Sequence, residues 1–186
     1  GVRPDFDWLR VKGLKMLSPK RMQHVAGCER EAVRLARRWD ADEELAREAG
    51  ILHDCTKRLG LEEQLKLCEK YGVLTDDVER NEGKLLHAKT GACIAKYEFG
   101  LSEAVYEAIF WHTTGKPDMS LLEKVIYMAD YIEPARDFDG LTELRKLAYE
   151  DLDKALLLGL QMSIEDMTER GIVPHKNSQD AIAWIT

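Results

Sequence analysis

No two of the four cysteines, Cys28, Cys55, Cys68 and Cys93, stand at a C-x-x-C spacing, which excludes a zinc-finger framework and the disulfide lattice of a small secreted domain. Buried thiols in a reducing cytoplasm are the expectation instead. No apolar run approaches the roughly 20 residues that a membrane-spanning helix needs, and the opening residues, Gly1-Val2-Arg3-Pro4, carry no signal-peptide pattern. Positive charge is in deficit: 27 Lys and Arg against 34 Asp and Glu give a formal charge of -7. That excludes a broad grip on nucleic acid or on an anionic membrane surface. A small anionic substrate stays open, because a bound cation reverses the field locally. Proline is rare, five in 186 residues, and strand-like alternation of apolar and polar residues is hard to find.

Helical periodicity is what the sequence has in abundance. Ser18-Pro19 offers an N-cap and a first-turn proline for a helix to about Trp39. Asp42 caps a second, whose apolar face of Leu45, Ala46, Ala49, Ile51 and Leu52 runs into His53-Asp54. A third spans Leu61 to Tyr71 with Gly72 as its stop, and Thr75 to Lys84 reads as loop or weak helix. Leu85 to Phe99, ended by Gly100, and Ser102 to His112 follow. After "TTGKPDM", the S-x-x-E box of Ser120 and Glu123 opens an apolar helix to Ile132, closed by Pro134. Further helices are expected from Thr142, through "LDKALLLGLQMSIEDM", and after an Asn177 or Ser178 cap. The reading is all-α: one domain over residues 1–186, with a helical core at about 19–135 and C-terminal helices at 142–186.

Four of the five histidines, His24, His53, His87 and His112, each fall in or at the end of a separate predicted helix, among apolar neighbours. One buried imidazole is usually a packed core residue. Four unpaired ones would each lose hydration with no common partner, and a shared ion supplies that partner. Asp54 and Asp130 sit in the same setting, inside predicted apolar helices, where a carboxylate needs a cation. Arg136 is the alternative partner for Asp130. Two nitrogens and two oxygens, from His24, His53, Asp54 and Asp130, suit a borderline-hard divalent or ferric ion. His87 and His112 are left for a second ion or for the substrate. Basic and hydroxyl groups follow the donors along the chain: Arg21 and Lys57 lie about one helical turn from His24 and His53. Thr113, Thr114, Gly115 and Lys116 follow His112, and Arg136 follows Asp130, a set suited to phosphate oxygens. His175 in "VPHKN" reads as a surface loop residue, and Trp111 and Phe138 as core aromatics before base-stacking ones.

The ordered set His … His-Asp … Asp resembles the HD-domain metal-dependent phosphohydrolases. "HDCTK", "LLHAKTGA", "WHTTGKPDM" and "YMADYIEPAR" resemble, within them, the YqeK family of symmetrical bis(5'-nucleosyl)-tetraphosphatases. The resemblance implies an HD-domain helical bundle with iron as cofactor, one or two ions, manganese or another divalent ion being the alternative. It implies His24, His53, Asp54 and Asp130 as metal ligands, with His87 and His112 at a second ion or facing the phosphates. The implied reaction is hydrolysis of diadenosine tetraphosphate (Ap4A) to two ADP by a metal-activated hydroxide. On that reading Asp54 orients the water, His87 or His112, if protonated, assists the departing ADP oxygen, and Lys57 stands with them as a catalytic group. Arg21, His24, His87, His112, Thr113, Thr114, Tyr131 and Arg136 are the expected substrate contacts. A homodimer in the cytoplasm, with no nucleic-acid or membrane partner, completes the expectation. The alternatives are an HD phosphohydrolase acting on nucleoside mono- or triphosphates and a non-catalytic metal or nucleotide sensor.

Overall fold

The computed structural model describes residues 5–186, so the reading of residues 1–4 lies outside it. Helix α1 (Phe6–Lys15), capped by Asp5, has no counterpart among the helices expected from sequence. Helix α2 (Pro19–Trp39) opens at Ser18-Pro19 and stops where Asp40 turns left-handed, at φ 62°. Helix α3 (Glu43–Leu52) is capped by the Asp42 carboxylate, which accepts from Leu45 N at 3.0 Å. Helix α4 (Leu61–Tyr71) ends at Gly72 with φ 67°. Helix α5 (Asp77–Arg80) is one capped turn, and α6 (Gly83–Cys93) runs on as a π-helical turn over Ile94–Glu98. After α7 (Glu103–Phe110), the box at the start of α8 (Leu121–Ile132) forms both its bonds: Ser120 N donates to Glu123 Oε1 at 2.8 Å, and Glu123 N to Ser120 Oγ at 3.2 Å. Helices α9 (Leu141–Glu150), α10 (Leu152–Glu169) and α11 (Lys176–Ile185) complete the chain. Among the described residues there is no strand, in agreement with the all-α expectation.

Three helix ends differ from expectation, and two of them carry site residues. Helix α3 stops at Leu52, so His53 and Asp54 lie in tight turns over residues 53–58 and not in a helix interior. There Cys55 N donates to Leu52 O at 3.1 Å and Lys57 N to Asp54 O at 3.0 Å. Aspartate is a weak helix former, and this one finds its side-chain partners elsewhere in the fold. Helix α7 ends at Phe110, short of His112. The last helix is capped by His175, whose Nδ1 accepts from Asn177 N at 3.0 Å, and not by Asn177 or Ser178.

Helix α2 packs against α3 and α8, α3 also meets α7 and α8, α8 further meets α9 and α10, and α11 packs on α10. Leu35, Leu52, Ile109, Ile126, Met128 and Ile132 fill the space between them, fully buried. The contact of α2 with α3 requires glycine at Gly50, because a Cβ there would lie 2.9 Å from Glu29 Cα. This close approach is what brings the end of α3 beside His24. All four cysteines are buried and free. Among the described residues, no helix is long and apolar enough to cross a membrane.

Candidate metal centre

Five elements deliver one cluster: His24 from α2, His53 and Asp54 from the turn after α3, His87 from α6, His112 from the turn after α7, and Asp130 from α8. Asp130 Oδ1 lies 2.8 Å from His24 Nε2 and 3.3 Å from His53 Nε2, and the two imidazole nitrogens are 3.2 Å apart. Asp54 stands over both, with Oδ2 at 3.6 Å from His24 Nε2 and Oδ1 at 3.6 Å from His53 Nε2. The same Oδ1 faces the other side of the cluster, 3.3 Å from His87 Nε2 and 3.9 Å from His112 Nε2.

The chemistry of this set fits a cation. His53 Nδ1 lies 2.8 Å from Gly50 O, His112 Nδ1 lies 2.6 Å from Ile109 O, and His87 Nδ1 bonds Lys84 O. A carbonyl only accepts, so each Nδ1 holds a proton, and the Nε2 of His87 and of His112 turns a lone pair inward. His53, which burial lowers but Cys28 and Asp54 raise, is held well above the usual imidazole range and gives up its second proton when it ligates. Nitrogen lone pairs and carboxylate oxygens thus crowd one point with little but one another to meet. Donors bonded at about 2.0–2.2 Å to one ion stand about 3 Å apart at right angles, close to the spacings observed. Burial pushes His112 down to about 3, with His87 and His53 adding to the effect, and burial likewise lowers His87. Both rings are neutral at neutral pH, the form that ligates and not the form that donates a second proton. Asp54 and Asp130 are held well below the usual carboxylate range. Burial opposes this, but the positive charge of His53 outweighs it at Asp54, and bonds from His24 and His53 outweigh it at Asp130.

Asp54, His87, His112 and Asp130 line a cleft of about 1240 Å³ together with Arg21, Lys57, Thr113, Tyr131 and Arg136. His24 and His53 are not part of its lining, so His24 is not placed as the substrate contact expected from sequence. Arg21 donates to Asp54 Oδ2 through Nε, at 3.1 Å, and through Nη2. Arg136 donates from Nε to Asp130 O at 3.2 Å and places Nη2 3.4 Å from Asp130 Oδ1. Lys57 is half-buried; burial lowers its pKa against the pull of Asp54. Phe138 also lines the cleft, its ring 5.1 Å from that of Tyr131, whereas Trp111 stands outside and donates to Glu107 Oε2 at 2.7 Å.

Thr114 is not brought to the cleft. Its Oγ1 donates to Gly115 O at 2.9 Å and its carbonyl accepts from Ser178 Oγ at 2.8 Å, a tie between this loop and α11. His175 departs from the surface-loop expectation: it is buried at the rim of the cleft, with Nε2 2.7 Å from Asp76 Oδ2. The α11 cap draws in one of its nitrogens and the cap of α5 the other. Lys84, Met162, Arg170 and Ile172 line the cleft without having been marked from sequence. Lys84 was signalled by its place one turn before His87; the α10–α11 wall carries no comparable motif.

The HD domain family model matches residues 21–135, the span that holds every donor above. A symmetrical bis(5'-nucleosyl)-tetraphosphatase of Bacillus subtilis (strain 168) is 40% identical over 148 residues, 79% of this chain and 79% of its own length. The protein of the same description from Halalkalibacterium halodurans is 39% identical over 160 residues, 83% of this chain and 85% of its own. A crystal structure from Clostridium acetobutylicum, described as an HD superfamily hydrolase involved in NAD metabolism, superposes with a TM-score of 0.94 at 41% identity, covering 99% of this chain and 98% of that one. Six donors from five elements, all within the span that the family model matches, leave one conclusion: the chain belongs to the HD-domain family, in the branch of the symmetrical bis(5'-nucleosyl)-tetraphosphatases.

Proposed function

We propose that this chain hydrolyses Ap4A symmetrically to two ADP in the cleft over the histidine–aspartate cluster. The observation that carries the reading is the position of Asp54. One of its oxygens faces three imidazoles while the other is bound by Arg21, so a single carboxylate joins the metal centre to the phosphate-gripping wall. The relatives named for this reaction are the reason for choosing the dinucleotide over other nucleotides.

His24, His53, Asp54 and Asp130 would hold the first ion, and His87 and His112, with Asp54 between, a second. When bound, such an ion lowers the pKa of a coordinated water towards neutrality and draws charge from a phosphoryl oxygen. Asp54 accepts a hydrogen bond from the attacking water and fixes its direction. Arg21 and Arg136 flank the donors and grip phosphate oxygens with their planar forks. Charge on the departing ADP oxygen is met by Lys57 and these two arginines, because neutral His87 and His112 have no second proton to give. Thr113 and Tyr131 supply hydroxyls along the same wall, and Phe138, Met162 and Ile172 offer an apolar surface to a nucleoside. Iron is the proposed resident ion, with manganese or another divalent ion as the alternative, in a cytoplasmic homodimer.

The test is a product profile. Metal-loaded protein incubated with Ap4A yields ADP alone on anion-exchange chromatography. Equimolar AMP and ATP would overturn the symmetrical reading, and turnover of nucleoside triphosphates in preference to Ap4A would overturn the substrate.

A further inference from the structure

Three of the four clustered imidazoles have their Nδ1 groups pinned to the carbonyl three residues earlier: His53 to Gly50, His87 to Lys84 and His112 to Ile109. His24 has no such bond among the described residues. It lies within α2 and turns Nδ1 towards Glu133 Oε1 at 3.7 Å. Glu133 is the first residue past α8 and is only 1% exposed. Its Oε2 is buried without a hydrogen-bond partner, the one such side-chain atom among the described residues. Arg145 lies alongside but gives its donors to the backbone, to Ile132 O at 2.8 Å, Glu133 O at 2.7 Å and Arg136 O at 3.1 Å. A buried carboxylate left with so few donors is costly, and folds keep one where it has work.

Helix α2 makes room for this group. Gly27, three residues after His24 and on the same face, sits against the carboxylate so closely that a Cβ would collide with Glu133 Oε2. The glycine and the glutamate are complementary: α2 omits a side chain where α8 supplies an acid.

We infer that Glu133 is a positioning residue for His24, attracting its Nδ1 side across a 3.7 Å contact and so aiming its Nε2 into the metal centre, a charged counterpart of the backbone carbonyls that hold the other three rings. A carboxylate adds negative charge that a carbonyl lacks, so it also makes His24 the more electron-rich donor. The inference rests on the reading of His24 as a metal ligand.

The experiment compares Glu133→Gln and Gly27→Ala with the parent chain, and uses His24→Ala as reference. The first keeps shape and removes charge; the second keeps the acid and pushes it from its seat. Metal affinity is read by chelator competition, and the ring N–H protons are read as shifted proton resonances of the cobalt-loaded protein. In both variants affinity falls about ten- to a hundredfold, and the one N–H resonance that His24→Ala abolishes moves while the others stay. Unchanged affinity and an unmoved resonance in both variants, with metal lost in His24→Ala, would overturn the role of Glu133. So would a lower melting temperature of the metal-free protein with that resonance in place, the mark of a purely structural acid. Full metal retention in His24→Ala would instead overturn the ligand reading beneath it.

Discussion

The cleft over the histidine cluster and the groove lined by Arg34, Arg37, Arg38, Arg145 and Lys146 are both concave and both carry arginines, at about 1240 and about 790 Å³. They differ in what their arginines do. In the groove, Arg37 pairs with Glu43 at 2.6 Å, and Arg38 donates to Tyr149 O at 2.9 Å with its guanidinium 4.0 Å over the Trp39 ring. Arg145 closes the carbonyl end of α8. These groups finish helix ends, where cations are favoured by the helix dipole. In the cleft, Arg21 and Arg136 hold Asp54 and Asp130, and those carboxylates are shared with inward-facing nitrogens. Positive charge in a hollow therefore does not define a site. Buried donors converging on one point, with cations at their edge, do.

Substitutions on the two sides should separate accordingly. Asp54→Ala removes the carboxylate that joins both halves of the cluster. Turnover should drop on the order of a thousandfold, the scale of losing a preorganised charge-stabilising group, with metal content reduced in elemental analysis. Near-normal turnover would erase the distinction between cleft and groove. Arg136→Ala should raise KM for Ap4A about tenfold or more through loss of a charge-assisted bond, with a smaller change in kcat. Steady-state kinetics at fixed metal would show it, and a changed kcat with constant KM would speak against phosphate binding there. Ser178→Ala breaks the tie to Thr114 O and should lower stability by about 1 kcal/mol in urea unfolding. Its kcat/KM should stay at the parent value, since neither residue lines the cleft. Arg37→Ala, in an exposed pair of the groove, should shift stability by no more than about 0.5 kcal/mol and leave kinetics untouched. A kinetic defect there would give the groove a part in catalysis.

Much of this architecture could be read in advance where the signal is local. The Asp42 cap, the Ser120–Glu123 box and the Gly72 stop each act within a few residues, and each forms as its residue types dictate. The donor set was legible for another reason: imidazoles and carboxylates inside apolar helices are conspicuous, whatever the topology. What escaped depends on distant partners. The helical pattern runs unbroken through Leu52, and the turn at His53-Asp54 is completed by Arg21, which lies far back on α2. His175 reaches Asp76 across 99 residues and Ser178 reaches Thr114 across 64, so neither burial nor the rim of the cleft could be inferred from neighbours. Glu133, the residue before Pro134, carries no local signal of a role. Only the gap at Gly27, on another helix, gives it meaning.

That the donors come from α2, α6, α8 and the turns after α3 and α7 has a consequence for how the protein is made. A ribosome releases these groups in order, and no stretch before α8 contains the Asp130 oxygen that lies nearest to both His24 and His53. The group of His53, Asp54 and His112 is complete before α8 is made, whereas the group of His24, His53 and Asp130 closes only once α8 has left the ribosome.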